Sequence, residues 1–260
     1  MQKEALKFES SCILEGMTSL RSLIAASEQG INTRTINALY YDVSRTDKIK
    51  KELAYLKNVS ARMGDFPIIP ISPEALEKKT LGNSHGGIIA ECGKRDLPLL
   101  KSSISSIRPG FYVMIQGIED PYNFGYALRS LYACGGDGII LAERNWMSAA
   151  GVVARASAGA SERFPIYISD PSEAVDIFHA LKHTVVCADE RTDKLLHRTP
   201  LKKPLLLIVG GERRGISRAI LDRADILVKI PYGRAFNASL SAASAATIMA
   251  YEIARQNELS

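Results

Sequence analysis

The stretch Pro204-Leu205-Leu206-Leu207-Ile208-Val209-Gly210-Gly211-Glu212-Arg213-Arg214-Gly215-Ile216-Ser217 joins an unbroken apolar run to a glycine-rich, charged turn. Five consecutive apolar residues with no alternation suit a strand covered on both faces, as in a parallel sheet. Similar runs recur on both sides of it: FYVMIQGI from Phe111, GDGIILA from Gly136, RFPIYIS from Arg163, TVVCADE from Thr184 and ADILVKIP from Ala224. Helical stretches alternate with these runs, so the reading is an α/β domain with a mainly parallel sheet flanked by helices over residues 108–260.

The front of the chain has another rhythm. Residues Ser19 to Gln29 carry apolar side chains at helical spacing and close at Gly30, a C-terminal cap. Ile36 to Tyr41 reads as a strand, Lys48 to Met63 as a helix ending at Gly64, FPIIPIS as a strand, PEALEKKTL as a helix, and Gly86 to Ala90 as a further strand. This α-β-α-β-α-β order predicts a small α/β sandwich over residues 1–95. The polar, weakly patterned run from Cys92 to Ser106 places the boundary, with residues 96–107 as linker.

Composition is that of a chain with a substantial core: 260 residues, 46% hydrophobic and 23% charged. The net charge of +5 permits a polyanionic partner without requiring one. Up to Ser106 there are 15 Lys and Arg against 12 Asp and Glu, and beyond it 18 against 16, so neither half is a basic tail. Cys12, Cys92, Cys134 and Cys187 are dispersed without a C-x-x-C pair, which argues against structural zinc and a disulfide scaffold. The expectation is a cytoplasmic chain that binds neither metal nor membrane, because the first residues carry no leader pattern and no apolar run nears the ~20 residues of a bilayer span.

The standard nucleotide motifs are absent. The turn after Val209 fits neither G-x-G-x-x-G nor G-x-x-x-x-G-K-[ST], which weakens an oxidoreductase reading. His179 and His183 lie four apart on an expected helix, but the residues between them lack the glutamate of a zinc-protease helix.

Three segments remain. In the first, Ile118 to Arg129 (IEDPYNFGYALR), Asp-Pro ends a strand, Asn123 is available to cap the next helix, and Arg129 follows within two turns. The second is the turn of Gly210, Gly211 and Glu212, where glycines allow close backbone approach and Glu212 offers a carboxylate. The third, Val228 to Ser241 (VKIPYGRAFNASLS), runs into an Ala-rich helix that Ser239 or Ser241 can cap.

Together these segments resemble, in order and spacing, the three signature motifs of the SpoU branch of the knotted SPOUT RNA methyltransferases, and Ala154 to Ile166 resembles the stretch between the first two motifs. The resemblance covers roughly Arg108 to Gln256. It implies a deep trefoil knot, S-adenosyl-L-methionine held by Val209, Gly210, Gly211, Ile230, Pro231 and Leu240, and methyl transfer to a ribose 2′-hydroxyl of RNA, with rRNA favoured over tRNA. Asn123, Arg129, Glu212, Ser239 and Ser241 are the implied catalytic set, in a homodimer whose subunits complete each other's sites. Ser241 departs from the family, which has asparagine there, so a catalytically inactive RNA-binding scaffold is the alternative. The front half resembles the ribosomal-protein-type RNA-binding domain that precedes many such enzymes, which makes Arg21 and His85 candidate RNA contacts.

Overall fold

The computed structural model describes residues 12–82, 85–142, 150–211 and 215–257. The chain divides into two compact units: residues 1–96 with 145–163, and residues 97–144 with 164–260.

The first unit opens with β1 (Cys12–Glu15), α1 (Gly16–Glu28), β2 (Ile36–Asp42), α2 (Lys50–Met63), β3 (Ile68–Ile71), α3 (Pro73–Lys79) and β4 (Ile88–Cys92). Its sheet has the order β1-β4-β2-β3, antiparallel except for the β2–β3 pair. Helix α2 buries Leu53, Leu56 and Val59, one stripe at helical spacing, and stops at Gly64, whose left-handed backbone (φ 114°) ends the helix. Helix α3 begins where Ser72 accepts a hydrogen bond from the Ala75 amide and Pro73 occupies the first turn. Strand β1 is absent from the sequence reading. It is four residues long, at the sheet edge, and paired with β4 alone.

The second unit carries β5 (Phe111–Ile115), α4 (Pro121–Ala133) and β6 (Gly138–Leu141). After β6 the chain supplies α5 (Ala150–Ala156) and α6 (Ala160–Arg163), which belong to the first unit. It then returns with β7 (Ile166–Ile168), α7 (Pro171–Ala180), β8 (Thr184–Ala188), β9 (Leu205–Val209), α8 (Arg218–Leu221), β10 (Ile226–Val228) and α9 (Ala242–Asn257). All six strands are parallel, in the order β10-β8-β9-β5-β6-β7. Every residue of β5, β6 and β9 is buried, as expected of strands covered on both faces. The core around Tyr112, Met114, Phe178, Leu206 and Ile208 fixes the strand ends from which the loops of the site emerge.

The unit boundary is not linear in sequence. The Glu162 carboxylate accepts hydrogen bonds from Arg34 Nε (3.1 Å) and Asn32 Nδ2 (2.7 Å), and Arg34 also donates to the Gly93 carbonyl at 2.7 Å. Arg95 donates to the Ser161 carbonyl at 2.6 Å, and Arg155 pairs with the buried Glu15 at 3.2 Å. Burial is the largest single influence and pulls the Arg34 pKa down, but the Glu162 charge and hydrogen bond, together with Cys12 and Cys92, outweigh it and raise the pKa. Buried charges are tolerated when paired and hydrogen-bonded in this way.

Candidate active site

At the carboxyl ends of β8, β9 and β10 in unit 2 lies a cleft of about 850 Å³, within the usual range for small-molecule sites. Val209, Gly210 and Gly211 line it from the end of β9; Ile230 and Pro231 line it beyond β10; Ser239 and Leu240 line it from the loop before α9. All six residues expected to hold a cofactor therefore share one cavity.

The glycines are needed first by the protein itself. A Cβ on Gly211 would lie 2.4 Å from the backbone of Gln116 and Gly117, and one on Gly210 would lie 2.6 Å from the Gly215 backbone. Two backbone segments thus meet where no side chain fits. The Gly215 amide donates to the Gly211 carbonyl at 3.1 Å and closes the turn. The loop after β10 is held by the Tyr232 hydroxyl, which accepts from the Leu240 amide at 3.1 Å, and by the tilted packing of Tyr232 on Phe236.

The expected catalytic residues are more dispersed. Asn123 is not the cap of α4: Asp120 is, its carboxylate accepting from the Asn123 amide at 2.8 Å, with Pro121 in the first turn. Arg129 lies on the exposed face of α4, and neither it nor Asn123 lines the cleft. Ser241 caps α9, its hydroxyl accepting from the Ser244 amide at 3.1 Å, and does not line the cleft either. Glu212 falls outside the described residues.

In unit 1, Arg21 is exposed with its guanidinium 5.6 Å from the Tyr55 ring centroid. His85 lines a smaller cavity of about 380 Å³ and accepts the Gly87 amide on Nδ1 at 3.1 Å. The helix expected to carry both His179 and His183 ends at Ala180. His179 meets Asp225 at 3.1 Å, whereas His183 is buried between the carbonyls of Leu181 and Arg108, packed edge-on against Phe178. Among the described residues no group of three or more His, Cys, Asp or Glu could hold a metal ion.

The charged side of the cleft, Lys229 apart, belongs to none of the three sequence motifs. Asp189, Glu190 and Arg191 line it directly after β8, together with Arg218 and Lys229. The available signal was position: Asp189 follows the apolar run of a strand that ends at the ligand-binding edge of a parallel sheet.

Residues 110–251 match the profile of the SpoU rRNA Methylase family. An uncharacterized tRNA/rRNA methyltransferase of Mycolicibacterium gilvum is 34% identical over 168 residues, which cover 62% of this chain and 52% of that protein. The chain thus spans about half the length of this relative. Among solved structures, an RNA 2′-O ribose methyltransferase superposes with a TM-score of 0.77 at 20% identity, covering 98% of this chain and 95% of the other. The AdoMet-bound rRNA methyltransferase of Sinorhizobium meliloti superposes with a TM-score of 0.76 at 22% identity, covering 98% and 93%. These likenesses extend the shared fold over both units, and with more than half of its length matched by the profile, the chain belongs to the SpoU rRNA methylase family.

Proposed function

We propose that the chain transfers a methyl group from S-adenosylmethionine to a ribose 2′-hydroxyl of RNA, rRNA in preference to tRNA, as a homodimer. The observation that carries the reading is the gathering of Val209, Gly210, Gly211, Ile230, Pro231 and Leu240 around one cleft, in a chain of this family. The residues suit the cofactor: apolar side chains for a purine, turn and loop backbone for polar atoms, and room for a bent ligand. Bound there, it supplies an electrophilic methyl group on a sulfonium.

The chain's part is to align and deprotonate a hydroxyl of high pKa. Arg129 is assigned a positioning role, because a guanidinium stays protonated at neutral pH. Ser239, on the cleft wall, is assigned to the RNA phosphate or to that arginine.

The homodimer reading rests on an exposed face. Helices α4 and α9 pack together, and their outer sides carry Tyr122, Tyr126 and Tyr132 beside Ile248 and Tyr251, all exposed. Such an apolar patch favours a second copy as its cover. Arg129 lies on the exposed side of the same α4 and does not line its own cleft, so in a two-fold pair it serves the partner's. The trefoil knot belongs to this proposal as well. Its support is the return of the chain from β10, at one edge of the sheet, to α9 packed on α4. Unit 1 is assigned to RNA binding, with Arg21 and His85 as contacts.

Catalysis is favoured over an inactive RNA-binding scaffold because Ser241 is engaged as a helix cap. Serine and asparagine are about equally good at that position, so the departure leaves the helix start intact. The test is incubation of the chain with labelled S-adenosylmethionine and unmodified total RNA, followed by nucleoside mass spectrometry. A 2′-O-methylated nucleoside is expected, and its yield should fall at least ~100-fold in Arg129→Ala with cofactor affinity unchanged. A methylated base would refute the reaction; RNA binding without any product would select the scaffold.

A further inference from the structure

We propose that Asp189 accepts a ribose hydroxyl of the cofactor's adenosine and that Arg191 is the clasp that holds its carboxylate in place. The inference rests on the S-adenosylmethionine reading above.

The Asp189 amide donates to the Val228 carbonyl at 3.0 Å, which extends the β8–β10 ladder by one residue, while β9 pairs along the other side of β8. Asp189 therefore stands between the ends of β9 and β10, whose continuations form the two apolar walls of the cleft. An acidic residue at the carboxyl edge of a parallel sheet is a general way to accept ribose hydroxyls. Here it occurs without the glycine fingerprint that usually announces it.

Among the described residues two carboxylates line the cleft. Glu190 is exposed, whereas the Asp189 side chain is only 10% exposed. The backbone amide and Nε of Arg191 donate to Oδ1 at 3.1 and 3.0 Å, and Nη2 donates to Oδ2 at 3.1 Å. These hydrogen bonds, reinforced by the nearby charges of Arg191 and Arg218, hold the Asp189 carboxyl below the usual carboxylate range.

A carboxylate offers about four acceptor positions, and Arg191 uses three, leaving Oδ2 able to accept a further donor. The Asp189–Arg191 pair carries no net charge. It is thus suited to neutral hydroxyls rather than to the cationic sulfonium or amino group at the other end of the cofactor.

The test is calorimetric titration of the full chain with S-adenosylhomocysteine and with its 2′-deoxy and 3′-deoxy ribose analogues. Wild type should lose ~10- to 100-fold in affinity when a contacted hydroxyl is removed, the range for a hydrogen bond to a charged group. Asp189→Ala should lose a similar factor for the parent ligand and then fail to distinguish it from the deoxy analogues. Arg191→Met should lose less, ~3- to 10-fold, and keep the discrimination. Should the alanine variant not fold, shown by its thermal melt, Asp189→Leu, of similar size and without an acceptor, decides the matter through the same ratio. A variant at position 189 that still discriminates as wild type does overturns the assignment and leaves the cofactor reading standing. A wild type that binds none of the three ligands overturns both.

Discussion

In unit 1 the Arg34 guanidinium and the Glu162 carboxylate meet at 3.1 Å with side chains 2% and 3% exposed; beside the cleft of unit 2, Arg218 and Asp222 meet at 2.8 Å with 74% and 54% exposed. The distances are alike and the energetics are opposite. Two buried ions need each other, and losing one leaves the other uncompensated in a poor solvent for charge. Two exposed ions compete with water and salt, and the pair contributes ~0–1 kcal/mol. Unit 1 uses charge to fasten α5 and α6 in place, whereas in unit 2 the Arg218–Asp222 pair stays exposed at the cleft, free to reorganise around a ligand.

The comparison is broken most forcefully at Glu162. Glu162→Ala should cost ~3–5 kcal/mol in denaturant unfolding, because Arg34 is left buried without a counter-charge. Asp222→Ala should change stability by less than ~1 kcal/mol in the same measurement. Equal losses would erase the distinction. A smaller effect is expected at Gly211, where close approach of backbone rather than charge is at stake. Gly211→Ala should cost ~1–3 kcal/mol and weaken binding of S-adenosylhomocysteine by calorimetry, since the new Cβ must push Gly211 away from the backbone of Gln116 and Gly117. Unchanged affinity would show that these turns do not shape the site.

The smallest effect is a pH dependence at His183. Burial lowers its pKa below 6.5, with the carbonyls of Leu181 and Arg108 acting in the opposite direction. As pH falls, the unfolded chain takes up the proton before the folded one does. The contribution to stability is therefore present above pH ~6.5 and is lost as pH falls below it. Melting temperature followed from pH 8 to pH 5 should fall less steeply in His183→Gln than in wild type. Parallel curves would remove His183 from the acid sensitivity.

Much of this was legible in the chain. Six apolar runs became six parallel strands, and Gly64 ended its helix as the spacing predicted. The cleft lining was legible because turn glycines and the β-strand ends around them are local signals. The cap of α4 was misassigned to Asn123 although the better signal was present: Pro121 favours the first helical position, which puts the cap at Asp120. Strand β1 runs straight into α1 at Gly16 with no turn between them, whereas the equally short edge strand β3 is marked off by Pro67 and Pro73. The allocation of α5 and α6 to unit 1 was beyond local reading, since the partners of Glu162 lie 128 and 130 residues away. Asp189 stood at a legible strand end, but its clasp appears only when the turn to Arg191 is folded.

The interruption of unit 1 has a consequence for how the polypeptide matures during synthesis. Domains generally form in order as they leave the ribosome, at ~5–20 residues per second. Here Arg34, Asn32 and Arg95 emerge well before Glu162 and Ser161, and everything from β5 to β6 must be translated in between. The nascent front unit therefore waits several seconds with its cationic socket unfilled, and its completion is timed by the elongation of the sheet that follows it.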